Sequence, residues 1–278
     1  MKEALNIKKI LITLFIFAFG LLFLSPFFWM LSASFKPEAE VFRYPVQWIP
    51  ETWHAVENYK KVWFGTHPPF YHYYWNSIKV VILTTMTSII VSSLAAYSFA
   101  KLNFKGKDIL FLIVLATFMV PSQSLFVPQF ILFRWMNLYD THLALILLHS
   151  FSVLGTFMLR QFFLGILNDY LDSGKMDGAG HLRIFTHIAL PMVLPAIATY
   201  GILRFIWTWN DYQMPLIFLH SIDLYTLQLG IRQFADENGQ IYSLQMAAAV
   251  LAVVPLLIVF LIAQKQVIEG IQLGGVKG

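Results

Sequence analysis

Long apolar runs constrain the fold of this chain more than any other feature. A helix needs about 20 residues to cross a hydrocarbon core of about 30 Å, and runs of that length recur along most of the 278 residues. They stay apolar without the polar alternation of barrel strands. Because 58% of the residues are hydrophobic and only 12% are charged, an ordinary water-facing surface is excluded. The sequence predicts an all-α integral membrane protein with six transmembrane helices.

The predicted spans are residues 10–31, 77–100, 109–132, 141–164, 192–215 and 246–263. The first run exceeds the 7–15 residues of a cleaved signal core, so we interpret it as a membrane anchor. With the N terminus in the cytoplasm, the inner loops and tails receive eleven Lys and Arg residues and the outer ones seven. The positive-inside rule then predicts a multi-pass protein with both termini cytoplasmic.

The spans divide the chain into three regions. Residues 1–75 form a cytoplasmic tail, the first span and an extracytoplasmic segment, and residues 76–265 form the transmembrane domain. Residues 266–278 form a cytoplasmic tail. A cytoplasmic loop at about 165–191 is longer than most connections in packed bundles, so we expect it to have a role of its own.

Enzymatic and nucleotide-binding motifs are missing from the sequence. Gly106-Lys107 is followed by Asp108, and Gly174-Lys175 by Met176, so neither pair belongs to a phosphate-binding loop. His67 and His72 flank two prolines, where surface histidines are a better interpretation than a metal site. The net charge of +4 is too small to indicate nucleic acid. We expect a chain that is not an enzyme and holds no metal or cofactor.

Two ionisable residues lie in the predicted fifth span. Arg204 and Asp211 are seven residues apart, almost two helical turns, which places them on one face. Charges within spans usually face a bundle interior or a water path. One interpretation is a translocation path lined by Arg204, Trp207, Trp209, Asn210 and Asp211. The alternative places Asp211 at the headgroups and pairs Arg204 with a neighbouring helix, while His149 of the fourth span is a packing residue.

Prolines within the spans predict where the helices bend. Pro121, Pro128, Pro195 and Pro255 each free a backbone carbonyl within a span and permit a kink.

The cytoplasmic loop has the composition of two short helices joined by a turn. Asp169 can cap the first helix, with Asp172 three residues later. Gly178 and Gly180 permit a sharp turn, and Pro191 can open the next span. Such a helix-turn-helix can dock another protein, or it can rest as an amphipathic loop on headgroups.

The spacing in this loop resembles the coupling-loop signature of bacterial ABC importer permeases. That signature is Glu-Ala-Ala, three residues, Gly, nine residues and Ile-x-Leu-Pro. The matching positions here are Asp172, Ser173, Gly174, Gly178, Ile188, Leu190 and Pro191, with Asp in place of Glu and Ser-Gly in place of the two alanines. Short matches in the same order elsewhere, such as Ser34-Phe35-Lys36-Pro37 and Trp209-Asn210-Asp211, are similar to the carbohydrate-importer permeases.

This resemblance implies a type I ABC importer permease fold and a sugar or oligosaccharide as substrate, in the bacterial cytoplasmic membrane. It implies a second permease subunit, two ATPase subunits that use ATP and magnesium, and an extracytoplasmic solute-binding protein. The seven coupling positions would contact the ATPase. The outer loop after the fifth span would contact the binding protein through Tyr225, Asp236 and Asn238.

Other functions remain open on the sequence alone. Related permeases carry other solutes, such as a phosphorylated polyol. An ion-driven carrier could use Arg204, Asp211 and His149, although it would predict inverted halves that are not visible. A membrane-embedded enzyme lacks a catalytic constellation.

Overall fold

The computed structural model describes residues 7–236 and 239–275. Its helices, in chain order, are α1 (Ile7–Ser34), α2 (Glu38–Val41), α3 (Ala55–Phe64), α4 (Phe70–Lys101), α5 (Lys107–Thr117), α6 (Phe126–Trp135), α7 (His142–Leu148), α8 (Val153–Leu164), α9 (Asn168–Met176), α10 (His181–Ile184), α11 (Leu190–Met192), α12 (Leu194–Trp209), α13 (Gln213–Phe218), α14 (Leu227–Gly230) and α15 (Tyr242–Gly275). Three 3₁₀ turns lie at Ser122–Leu125, Ile222–Leu224 and Ile231–Gln233, and a π-helical stretch at Phe185–Ala189. Strands β1 (Ala235–Asp236) and β2 (Gly239–Gln240) pair antiparallel.

Up to six candidate spans are present in the described part of the chain, which agrees with the predicted number when each bent pair of helices counts as one span. Three are single helices, Lys9–Ser34, Phe70–Lys101 and Tyr242–Gln264. The other three are pairs of helices with a bend between them: Lys107–Thr117 with Ser122–Trp135 at 95°, His142–Leu148 with Val153–Leu164 at 46°, and His181–Met192 with Leu194–Trp209 at 80°. The last helix continues through Gly275, so most of the predicted C-terminal tail is helical.

Only some of the prolines that were predicted to kink a span lie at these bends. Pro121 lies directly before the second half of the third span, and Pro195 is in the first turn of α12. Pro128 and Pro255 lie inside helices that continue past them. The prediction that Pro191 opens the fifth span is wrong, because α12 begins at Leu194. Pro195 is tolerated there because first-turn N–H groups have no partner within the helix.

The chain forms two compact units. The first takes in the chain up to Tyr71 together with Gly230–Val254. Within it, the Glu38 carboxylate accepts hydrogen bonds from the backbone N–H groups of Tyr242 (2.9 Å) and Ser243 (2.7 Å), the first residues of α15. The Phe70 ring packs on Phe234, with 5.5 Å between ring centroids.

The second unit takes in His72–Leu229 and the chain from Pro255 onward. Its larger core cluster joins α4, α8, α9 and α12, and the rings of Tyr97, Phe163 and Phe185 pack together there. Gly155 of α8 lies directly against the buried Tyr200 of α12. Small residues at such crossings allow membrane helices to approach closely.

Candidate functional site

The predicted helix-turn-helix is present, formed by α9 and the helical stretch His181–Met192. Leu171 and Gly174 are the buried residues of α9. A Cβ atom built on Gly174 would lie 2.6 Å from Ile188 Cδ1 and 3.4 Å from Ile184 Cγ1. The missing side chain therefore lets α9 pack closely on the second helix. Because this stretch bends 80° from α12, it lies almost perpendicular to the spanning helix.

The turn between the two helices depends on Gly178. Its φ is +78°, a conformation that glycine adopts without steric cost. The N–H of Gly178 donates to the carbonyl of Lys175 (2.9 Å), and that of Ala179 to Gly174 (3.0 Å). These two bonds form a Schellman motif, which satisfies the last carbonyls of α9.

Two local predictions about this loop are corrected. Gly180 has φ −71° in an extended conformation, so the turn requires only one glycine. Asp169 does not cap α9, since the cap position is occupied by Leu167 without a side-chain hydrogen bond. Asp169 instead lies in the first turn, where its charge favours the positive end of the helix.

The seven predicted coupling residues divide by exposure. Asp172, Ser173, Gly178 and Pro191 are exposed, Ile188 and Leu190 are partly buried, and Gly174 is buried. The Asp172 carboxylate accepts a hydrogen bond from Lys175 Nζ at 2.7 Å, one turn along the helix. Gly174 and Ile188 therefore hold the two helices together, and Leu190 packs against the core cluster. Asp172, Ser173 and Gly178 are accessible to another protein.

Sequence reasoning missed the exposed apolar side chains of this loop. Leu167, Tyr170, Met176 and Leu182 are all more than half exposed, and Met176 reaches 88%. We use the name docking face for the exposed surface of the loop formed by these four residues and Asp172, of which Met176, one turn from Asp172, lies on the same side of α9. Large apolar side chains on otherwise polar helices were a signal that could have revealed it, since grouped exposed apolar residues mark interaction surfaces.

The residues predicted to line the translocation path differ in burial and in their contacts. Arg204 is buried, and its Nη2 donates to the backbone carbonyl of His149 at 2.6 Å. Asp211 Oδ2 lies 3.7 Å from His149 Nε2, and Asp211 Oδ1 accepts from the N–H of Met214. We define His149, Arg204 and Asp211 as the polar cluster. It connects the break of the fourth span with the end of α12.

The aromatic residues of α12 have different environments. Trp209 is 1% exposed, stacks on Phe205 and packs edge-on against Tyr74. It therefore packs within this chain. Trp207 is 42% exposed, and Asn210 is exposed with its amide bonded to the carbonyl of Ile206.

Further polar residues beside the polar cluster were not predicted. A small cavity is lined by Ser77 of α4, Thr208, Thr226, His149 and Asp211, among others. The hydroxyl oxygens of Thr208 and Thr226 are buried and make no hydrogen bond to the described residues. Isolated Ser and Thr residues in apolar runs gave no sequence signal that would have linked them.

The loop after α13 is attached to two helices by side chains. His72 Nε2 and Asn76 Nδ2 each lie 2.8 Å from the carbonyl of Asp223. His142 Nε2 lies 2.8 Å from the carbonyl of Leu224. These contacts fix the backbone of a loop whose Ile222 and Asp223 side chains are exposed.

The three predicted binding-protein contacts lie in or after this loop. Tyr225 is partly buried, and its carbonyl accepts from Asn76 Nδ2 at 3.1 Å. Asp236 is at the end of β1, but its side chain lies outside the described part, as does the whole of Asn238.

Asp140 fixes the same loop from the other side. Its Oδ1 accepts from the backbone N–H groups of His220 (2.8 Å) and Ser221 (3.0 Å), and its Oδ2 from the Ser221 hydroxyl. Burial acts to raise the pKa of this carboxyl, but these hydrogen bonds outweigh burial and lower the pKa below its usual value. Among the residues that the structure describes, no group of three or more His, Cys, Asp or Glu is placed to hold a metal ion.

Comparisons with known proteins agree on one group. The family model described as binding-protein-dependent transport system inner membrane component matches residues 88–272. An arabinooligosaccharides transport system permease protein of Bacillus subtilis is 34% identical over 274 residues, covering 98% of this chain and 97% of the relative. A sulfoquinovosyl glycerol transport system permease protein of Agrobacterium fabrum is 32% identical over 257 residues, covering 92% and 89%. The crystal structure of a bacterial ABC transporter involved in import of the acidic polysaccharide alginate matches with a TM-score of 0.83 and 22% identity, over 95% of this chain and 98% of that one.

Proposed function

Because the chain belongs to the family of inner membrane components of binding-protein-dependent transport systems, we propose that it moves a sugar or oligosaccharide across the bacterial cytoplasmic membrane as a permease subunit. The observation that carries this proposal is similarity over nearly the whole chain to a permease named for arabinooligosaccharides. The relative named for sulfoquinovosyl glycerol, a sugar joined to a polyol, makes a polyol glycoside the second candidate. A phosphorylated polyol and an ion-driven mechanism receive no support from these relatives.

The energy for transport comes from other chains in this proposal. Two cytoplasmic ATPase subunits bind ATP and magnesium, a second permease completes the path, and an extracytoplasmic binding protein delivers the solute. The excess of Lys and Arg on one side supports a topology with both termini and the docking face in the cytoplasm.

We assign ATPase coupling to the docking face. Its apolar side chains can enter a cleft of the ATPase, and Asp172 can exchange its exposed Lys175 partner for a basic residue of that subunit. Because Gly174 packs on Ile188, α9 and the following helix form one block, and that block continues through the bend into α12. Closure of the ATPase pair can thus move a spanning helix as a rigid body.

Substitutions in α9 test this assignment. A charge-assisted hydrogen bond contributes about 1.5–3 kcal/mol, so Asp172→Ala should weaken ATPase binding about 10- to 150-fold. Asp169→Ala is the matched control, because it removes an exposed carboxylate from the first turn of the same helix. Lys175→Ala breaks the intrahelical pair but keeps Asp172, so it should leave coupling intact. Equal uptake by wild type and the double variant Asp172→Ala with Gly178→Trp would contradict the assignment.

Trp207 and Asn210, which are accessible, are our candidates for the wall of the path, and the polar cluster positions the helix end that carries them. Arg204 and Asp211 hold two helix breaks in place, and only Trp207 and Asn210 of the predicted set are open to a passing solute. Trp207→Ala should alter the KM for uptake, whereas Trp209→Ala should lower the amount of folded protein. Reversed effects of these two variants would contradict this division of roles.

The loop after α13 is our candidate contact with the binding protein. Since the chain has no cysteine, single substitutions Ile222→Cys and Asp223→Cys can each carry a crosslinker on a defined exposed site. Crosslinks to an extracytoplasmic protein are expected at both sites. Capture of no such protein from either would contradict the contact.

A transport assay tests the substrate class. Cells that lack this gene are compared with complemented cells for uptake of labelled oligosaccharides, monosaccharides and polyol glycosides. We expect uptake of one saccharide class to require both the gene and ATP. Uptake of only non-saccharide solutes would contradict the proposed substrate.

A further inference from the structure

An exposed apolar surface lies on the connection between α1 and α4. Six residues contribute to it, and we call them the apolar patch: Tyr44, Val46, Trp48, Ile49, Trp53 and Val56. Each side chain is more than half exposed, with 89% for Tyr44 and 82% for Val56. An apolar surface of this kind in a folded segment indicates a contact with something other than water.

Hydrogen bonds attach this segment to the end of α1. The Ser32 hydroxyl donates to the carbonyl of Trp48 at 2.5 Å. Lys36, which is 1% exposed, donates through Nζ to the carbonyl of Gln47. These bonds fix the backbone of the apolar patch beside the last turn of the first span.

Further side-chain contacts hold the same connection in place. Asn58 of α3 donates to the carbonyls of Ser34 (2.9 Å) and Lys36 (2.8 Å), and Asn58 itself is buried. The segment is thus a folded extension of α1, and its exposed side chains have defined positions.

The depth of the segment follows from its contacts with α1. Phe42 packs on Trp29, with 5.9 Å between ring centroids. Trp29 lies five residues before the end of α1, which is about 7.5 Å at a rise of about 1.5 Å per residue. The most apolar window of α1 is completely unburied within this chain, so its surface is left for lipid and for the proposed second permease subunit. The segment therefore begins at the level where α1 leaves the hydrocarbon.

Two charged residues that border the apolar patch, Arg43 and Glu51, pair with each other. Arg43 Nη1 lies 2.7 Å from Glu51 Oε2, and Glu51 Oε1 accepts from the side-chain amide of Gln47. The pairing reduces the charge beside the Trp and Tyr side chains, which are residue types enriched at the membrane–water boundary.

We propose that the apolar patch inserts into the lipid headgroup and upper acyl region of the bilayer that α1 crosses. Lipid is the occupant because the segment that carries the patch is attached to the last turns of α1, at the level where that span ends. Tryptophan and tyrosine favour this region, since their rings are apolar with one polar group each. The patch then fixes the depth and tilt of the first span, which interfacial anchors set in membrane helices.

Spin-label accessibility tests this proposal, because a chain without cysteine accepts single labels cleanly. Ile49→Cys and Val56→Cys are labelled in the assembled transporter, reconstituted in nanodiscs of phosphatidylethanolamine and phosphatidylglycerol. Ile16→Cys, in the middle of α1 and 63% exposed, is the lipid reference. Asp223→Cys in the loop after α13 is the water reference, and no binding protein is added in this experiment, so that this loop stays uncovered.

We expect the spin labels at Ile49→Cys and Val56→Cys to collide more with oxygen than with a water-soluble nickel chelate. The depth value, which is derived from the ratio of the two collision rates, should lie between those of Ile16→Cys and Asp223→Cys. A depth value equal to that of Asp223→Cys would mean that the patch faces water. Low collision rates with both reagents would mean that another protein covers it. Either result overturns the proposal, and because both substituted side chains are exposed, the variants should fold.

Discussion

The crossing of α8 and α12 at Gly155 allows a stability prediction worked directly from distances. A Cβ atom on Gly155 would lie 2.3 Å from Tyr200 Cζ, 2.4 Å from Cε2 and 2.6 Å from Oη. Tyr200 is 1% exposed, and its hydroxyl lies 2.6 Å from Ser88 Oγ of α4. The rigid ring cannot move away without losing that hydrogen bond and displacing neighbouring core residues.

The expected cost of Gly155→Ala follows from these contacts. Overpacking of a core costs about 1–3 kcal/mol, and the rigid ring places this site near the upper end of the range. The gain in helix propensity offsets at most about 1 kcal/mol. A net loss of about 1–2 kcal/mol corresponds to a fall in Tm of about 2–8 °C for a chain of this size.

Thermal denaturation of the purified protein in mild detergent measures this effect. Gly20→Ala in α1 is the matched control, since nothing lies within 4 Å of its added Cβ, and its Tm should be unchanged or slightly higher. In a chain that already carries Tyr200→Leu, Gly155→Ala should lower the Tm much less, because the ring that the added methyl group contacts is gone. An equal Tm for Gly155→Ala and Gly20→Ala would mean that the Tyr200 ring accommodates the added methyl group without cost.

Three further predictions concern charged groups. Arg204→Met removes the only donor to the His149 carbonyl seen in the described residues and should cost about 1–3 kcal/mol, because a buried acceptor is left without a partner. Adding Asp211→Asn should recover part of this cost in a double-mutant cycle of unfolding free energies, since both residues contact His149. Full additivity would contradict coupling between the two residues. Because the folded pKa of Asp140 is lowered, its stabilisation should be complete above about pH 4 and should be lost as pH falls through the folded pKa. Asp140→Asn should remove that step from the dependence of Tm on pH, and an unchanged dependence would contradict it. Glu38→Ala exposes the first amides of α15, which should cost about 0.5–2 kcal/mol and speed hydrogen exchange there; unchanged exchange would contradict the capping role.

Properties that depend on local sequence were predictable. Run length and hydropathy indicated six spans because crossing a bilayer requires about 20 apolar residues wherever they occur. Gly178 indicated the turn of the helix-turn-helix because few other residues adopt a positive φ at low cost. The predicted cap of α9 was wrong because the helix begins two residues earlier than Asp169 would require, with Leu167 at the cap position. Sequence patterns do not fix a helix boundary to within one or two residues.

Properties that depend on tertiary packing were not predictable from the sequence. The run 109–132 is continuously apolar, and Pro121 predicted a kink but not a bend of 95°. Helical spacing placed Arg204 and Asp211 on one face, yet their contact with His149 depends on how the fourth span breaks. Trp209 was a candidate for the path because of its chemistry, but packing against Phe205 and Tyr74 buries it.

Affinity purification of the tagged chain from its native membrane tests most directly whether this is a permease subunit powered by separate ATPases. The co-purifying chains are identified by mass spectrometry, and ATP hydrolysis is measured with and without a saccharide-loaded binding protein. We predict recovery of a second multi-pass permease and an ATPase, with hydrolysis stimulated by the loaded binding protein. A chain that purifies alone and carries solute into proteoliposomes without ATP would contradict the account.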